Sequence, residues 1–76
     1  MNKLPIRTRL VNARKQAGLT QEQLALEAKI SRAYLSNIEK GKHTPSLEVA
    51  KKISDALKKS IEDIFFEIDV RKTHIK

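Results

Sequence analysis

The sequence predicts an all-α fold: one small domain of five short helices, with a possible short strand at the C-terminal end. Three observations carry that expectation. Apolar residues recur at three- and four-residue spacing along most of the chain, the pattern of helices buried on one stripe. Helix punctuation brackets those stretches, with Thr20, Ser31, Ser46 and Ser60 at starts and Gly18 and Gly41 at stops. The chain has 76 residues, and a domain of that size buries only roughly 60% of its unfolded surface, so its stability is modest.

The first helix is expected over residues 6–17, entered through Pro5 and closed by Gly18. Ile6, Leu10, Ala13 and Ala17 mark its inner face. The second helix spans residues 21–28. Thr20 with Gln23 three residues on forms a capping box, and Leu24, Ala25 and Ala28 make the buried stripe. Residues 29–31 are a turn, with Ile30 as the apolar plug and Ser31 as the N-cap of a third helix over residues 32–40. Leu35 and Ile38 face inward there, and Gly41 ends the helix.

A loop over residues 41–45 leads to Ser46, which caps the fourth helix, where Glu48 complements the helix dipole. Its apolar stripe is Leu47, Ala50, Ile53 and Leu57. Ser60 caps a short fifth helix with Glu62 and Asp63 in the first turn and Ile61, Ile64 and Phe65 as anchors. The period then changes. Phe66, Ile68 and Val70 alternate with Glu67, Asp69 and Arg71, which suggests a strand that either pairs with its copy in a second subunit or frays. Residues 1–66 are therefore taken as the domain and residues 67–76 as a tail.

The net charge is +7, and it is unevenly spread. Residues 1–45 carry nine Lys/Arg against three Glu, whereas residues 46–76 carry seven Lys/Arg against six Asp/Glu. A basic half suits a polyanion such as nucleic acid. An anionic membrane is disfavoured: the longest apolar run is Ile64, Phe65 and Phe66, far short of a span. The N-terminal stretch lacks the apolar core of a signal peptide, and the chain contains no cysteine, which fits a cytoplasmic protein.

Little points to an enzyme. His43 and His74 are isolated and have no metal-ligand spacing. Gly18 and Gly41 are the only glycines, so no phosphate-cradling glycine loop exists. The serines stand at helix caps with no histidine arranged as a base. No cofactor and no metal is expected.

Residues 20–41 have the form of a helix-turn-helix, which places its second helix in the DNA major groove. Small Ala25 allows the two helices to approach, and Ile30 sets their angle. Outward on the third helix stand Arg32, Ala33 and Tyr34, and one turn later Ser36 and Asn37. Arginine can bond guanine through two N–H groups, asparagine can bond adenine, and alanine can touch the thymine methyl. Phosphate contacts are expected from Gln21 and Ser31, at the starts of the two helices, and from Lys42, His43 and Thr44 in the loop. Arg14 and Glu39 lie at the edges of apolar stripes and can meet to tie the first helix to the third.

The pattern Arg14-x3-GLTQEQLA-x2-A-x-IS-x3-LS-x-IE-x-GK-x2-PS-x4-KKI-x2-AL closely resembles the lambdoid phage repressor/Cro-type helix-turn-helix, or XRE, family over residues 10–65. The resemblance implies a five-helix domain that binds operator DNA as a dimer. By position it makes Gln21 a phosphate contact, Arg32, Ala33 and Asn37 base readers, and Arg14 with Glu39 an ion pair. One departure is Lys29, which stands where the family usually has glycine; a left-handed lysine there costs on the order of 1 kcal/mol. The other is the tail beyond Phe65, where the family varies. Small controller proteins of restriction-modification systems are also similar in size and in a phenylalanine-rich end of the last helix.

The function expected is therefore a sequence-specific regulator of transcription, most simply a repressor, bound as a homodimer to a two-fold symmetric double-stranded DNA operator. Phe65, Phe66, Ile68 and Val70 are the candidate dimerisation residues. The alternatives are a restriction-modification controller, or an antitoxin-like module whose main partner is another protein and whose DNA binding is secondary.

Overall fold

The computed structural model describes residues 7–65. Within them the chain forms α1 (Thr8–Gln16), α2 (Gln21–Ala28), α3 (Arg32–Glu39), α4 (Leu47–Ala56) and α5 (Ile61–Phe65), and no strand. The proposed tail strand, with Phe66, Ile68 and Val70, lies outside the described residues, as do Pro5 and Ile6.

The starts of the helices follow from side-chain caps. Thr20 and Gln23 close a capping box in both directions, at 3.0 Å and 2.9 Å. Ser31, Ser46 and Ser60 each accept the amide three residues on, from Tyr34, Val49 and Asp63. Each cap satisfies one of the amides that a helix start leaves without an internal partner.

The ends share one device. Gly18, Lys29, Gly41 and Lys58 all hold positive φ just past α1, α2, α3 and α4, Lys29 directly after its helix and the other three one residue further on. The next residue then donates its amide back into the helix: Leu19 to Arg14, Ile30 to Ala25, Lys42 to Asn37 and Lys59 to Ser54. This is the Schellman ending, which turns the chain sharply after each helix.

α2 lies between α3 and α4, α1 rests on α3 and α5, and α5 packs on α4. The shared core is Leu10, Ala13, Leu24, Ala25, Ala28, Leu35, Ile38, Ile53, Leu57 and Ile64. Leu10, Leu24, Leu35, Ile38 and Ile53 are wholly buried, and each such side chain contributes roughly 1.5–3 kcal/mol relative to exposure. Ile30, the turn plug, packs half-buried against this cluster.

Two stripe residues are placed differently from the periodic expectation. Ala17 is exposed, because α1 ends at Gln16 and Ala17 already belongs to the cap. Leu47 is 71% exposed, because it is the first residue of α4 and the helix meets the core only from Val49 onward. α1 also begins at Thr8, two residues later than its apolar pattern suggests, and α3 ends at Glu39 rather than at residue 40.

Candidate nucleic-acid interface

The inner face of α3 is anchored by Leu35, Ile38 and Glu39. That anchoring directs the opposite face outward. Arg32 and Ala33 are exposed in its first turn, and Ser36 and Asn37 are half-exposed one turn later. Tyr34 sits apart from these four. It is half-buried against the core, and its ring meets the His43 ring edge-on, with centroids 6.0 Å apart and planes at 61°. It thus stands at the flank of the outward face and braces the loop.

The loop over residues 41–45 is held close to α3. The amides of Lys42 and His43 both donate to the Asn37 carbonyl, at 2.9 Å and 3.4 Å. Lys42, His43 and Thr44 are exposed there, so three candidate phosphate partners sit beside the outward face. Ser31 is exposed, and its hydroxyl oxygen is already used by the Tyr34 amide; its O–H remains as a donor. Gln21 opens α2 and is half-buried.

Gln21 is not free. Its Nε2 donates to Glu39 Oε1 at 2.9 Å. Glu39 in turn receives Arg14 through Nε at 2.7 Å and through Nη2 at 3.2 Å. Arg14 Nη1 donates to the Leu19 carbonyl at 2.9 Å. The Arg14 and Glu39 side chains are only 11% and 5% exposed. Three helices therefore meet at one carboxylate. The edge-of-stripe positions indicated the Arg14–Glu39 contact, but not the Gln21 bond.

Arg7 has no distinctive sequence signal, yet it joins several elements. Its amide donates to the Glu39 carbonyl at 3.0 Å. Its Nη2 reaches the His43 carbonyl at 3.4 Å, and its guanidinium lies 5.6 Å from the Phe65 ring centre. These partners are distant in the chain and belong to no repeating pattern. A shallow cleft of about 290 Å³ opens beside it, with Pro45, Leu47, Ala50, Ile61 and Phe65 on its walls. Phe65 was the one candidate dimerisation residue within the described part; it is half-buried.

Among the described residues, no group of His, Asp or Glu is placed to hold a metal ion. No helix among them is long and apolar enough to cross a membrane.

Comparison with known proteins agrees with this geometry. The helix-turn-helix family HTH_3 matches residues 10–64, and the chain belongs to it. It is thus a DNA-binding regulator of transcription of the XRE type. An uncharacterised HTH-type transcriptional regulator of Methanothermobacter thermautotrophicus is 44% identical over 61 residues, covering 79% of this chain and 88% of that protein. The immunity repressor of Bacillus phage phi105 is 43% identical over 49 residues, covering 64% of this chain and 34% of the phage protein. The solved restriction-modification controller protein C.AhdI of Aeromonas hydrophila superposes with a TM-score of 0.73 at 33% identity, over 76% of this chain and 88% of that one. The two matched proteins are named as a transcriptional regulator and a repressor, not as enzymes.

Proposed function

We propose that the chain is a sequence-specific repressor that binds a two-fold symmetric operator as a homodimer, acting in the cytoplasm. The observation that carries this reading is the outward face of α3. Arg32, Ala33, Ser36 and Asn37 face away from the core along one side of a helix whose other side is buried. Lys42, His43 and Thr44 flank it on a loop bonded to the same helix. Arg32 supplies a two-pronged donor for guanine and Asn37 a matched pair for adenine, while Ala33 fits the thymine methyl. Gln21, Ser31 and the loop set the register on phosphate. Repression is supported by the likeness to the phage immunity repressor.

A homodimer is supported by the cleft beside Arg7, where Leu47 and Phe65 leave apolar surface uncovered. Two copies of α3 would then enter successive major grooves, with half-site centres about 34 Å apart. In this reading residues 1–66 serve as the binding domain, and Phe66, Ile68 and Val70 are further candidate dimerisation residues.

The test is selection of bound duplexes from a random DNA library at physiological salt. An enriched inverted repeat with half-sites one turn apart supports the reading. If nothing is enriched and binding vanishes as salt rises, only phosphate attraction is present, and sequence-specific repression is wrong. The likeness to C.AhdI favours a second reading, control of restriction-modification genes. It predicts that the selected repeat recurs upstream of a neighbouring endonuclease gene.

A further inference from the structure

We propose that Glu39 is a positioning residue for DNA binding: its carboxylate holds the Gln21 side-chain amide so that an N–H is presented to the phosphate backbone. The inference rests on the DNA-binding reading above. Gln21 Nε2 lies 2.9 Å from Glu39 Oε1. A carboxylate only accepts, so the amide must turn its nitrogen toward Glu39. One N–H is consumed by that bond, and the second is left as a donor at the start of α2. Without Glu39 the amide could rotate and offer its oxygen, which a phosphate repels.

Glu39 is itself held. Arg14 grips both of its oxygens, at 2.7 Å and 3.2 Å, and is anchored on the Leu19 carbonyl at 2.9 Å. Leu19 immediately precedes the Thr20 cap of α2. The chain of bonds therefore runs from α1 through α3 and returns to the start of α2, where Gln21 stands. The side-chain freedom that an unheld glutamine loses on binding is already lost here, which is preorganisation.

A charge argument alone predicts the opposite behaviour. Replacing Glu39 by glutamine removes a negative charge and leaves the Arg14 charge uncompensated. Phosphate attraction would then rise, and DNA would bind more tightly. The sign of the effect thus separates the two accounts.

The experiment compares the full chain with Gln21→Ala, Glu39→Gln and the double variant, on a duplex carrying the selected repeat and on a scrambled duplex. Glu39→Gln and Gln21→Ala should each weaken binding to the selected duplex roughly 3- to 10-fold, the range expected for loss of one ordered side chain. In the Gln21→Ala background, Glu39→Gln should cost nothing further. Should Glu39→Gln not fold, Glu39→Asp keeps the charge beside Arg14 but withdraws the carboxylate from Gln21, and it should show the same loss. Tighter binding by Glu39→Gln, or losses that multiply in the double variant, would overturn the proposal; the second result would mean a displaced α3. A wild-type chain with no preference for the selected duplex would instead remove the DNA reading, and this inference with it.

Discussion

Lys29 and Lys58 adopt the same left-handed backbone, with φ of 61° and 60°, Lys29 directly after α2 and Lys58 two residues after α4. Each stands where Gly18 and Gly41 stand at the ends of α1 and α3. A Cβ in that region meets the following carbonyl oxygen, a strain that glycine avoids. Lys58→Gly should therefore raise stability by about 0.5–1 kcal/mol, after allowing for the greater freedom of glycine in the unfolded chain. For a domain of this size that is a rise in Tm of roughly 2–8 °C. A thermal melt of Lys58→Gly showing no rise would mean that the lysine side chain offsets the strain through its own contacts.

Arg14→Ala should destabilise strongly. It would leave the Glu39 carboxylate, 5% exposed, without its cation. Removing one member of a buried pair costs about 3–5 kcal/mol, comparable with the whole stability of a small domain. The exposed pair of Lys51 and Asp55, 3.4 Å apart and about two-thirds exposed on each side, is the control. Lys51→Ala should change stability by no more than about 0.5 kcal/mol. Urea unfolding followed by circular dichroism measures both, and equal effects would contradict the assigned difference in burial.

Arg32→Ala and Lys42→Ala should weaken DNA binding in different ways. Arg32→Ala should cost about 1–3 kcal/mol on the selected duplex and relax the preference at one base position. Lys42→Ala should weaken selected and scrambled duplexes alike and reduce the salt dependence by roughly one unit of slope. Fluorescence anisotropy titrations over a range of salt separate the two. Unchanged affinity and base preference in Arg32→Ala would mean that α3 does not read the bases.

Leu47→Glu tests the pairing surface. Leu47 is 71% exposed, so the fold should tolerate a charge there within about 0.5 kcal/mol. Placed at a subunit contact, the same charge should raise the dimer dissociation constant at least about tenfold. Sedimentation of the two proteins gives the answer. A variant that dimerises as well as the wild type would move the interface away from the cleft beside Arg7.

Much of the fold was legible because its signals are local. Thr20, Ser31, Ser46 and Ser60 cap helices through bonds to residues three positions away. Such contacts need only the right residue at the right spacing. The same holds for Gly18 and Gly41, and for the α2 and α3 stripes of Leu24, Ala25, Ala28, Leu35 and Ile38. Lys58 carried no comparable signal, since lysine is unremarkable in a helix and unusual only at the left-handed residue after one. The periodic pattern also overreached at helix ends, where Ala17 and Leu47 keep the spacing of the stripe but stand clear of the core.

The sequence by itself determined the helix order, the caps and four of the five outward residues named on α3, because each depends on side chains a turn or two apart; Tyr34 was read as outward but packs half-buried against the core. Only the tertiary structure decided which distant groups meet. Packing α1 on α3 put Arg14 against Glu39, and the approach of α2 brought Gln21 to the same carboxylate. The first helix likewise delivered Arg7 to His43 and Phe65. These contacts join residues far apart in the chain, and periodicity along the chain says nothing about which faces come together. They arise when buried apolar stripes fix the angles between helices, and polar side chains at the seams find the partners that desolvation obliges them to have.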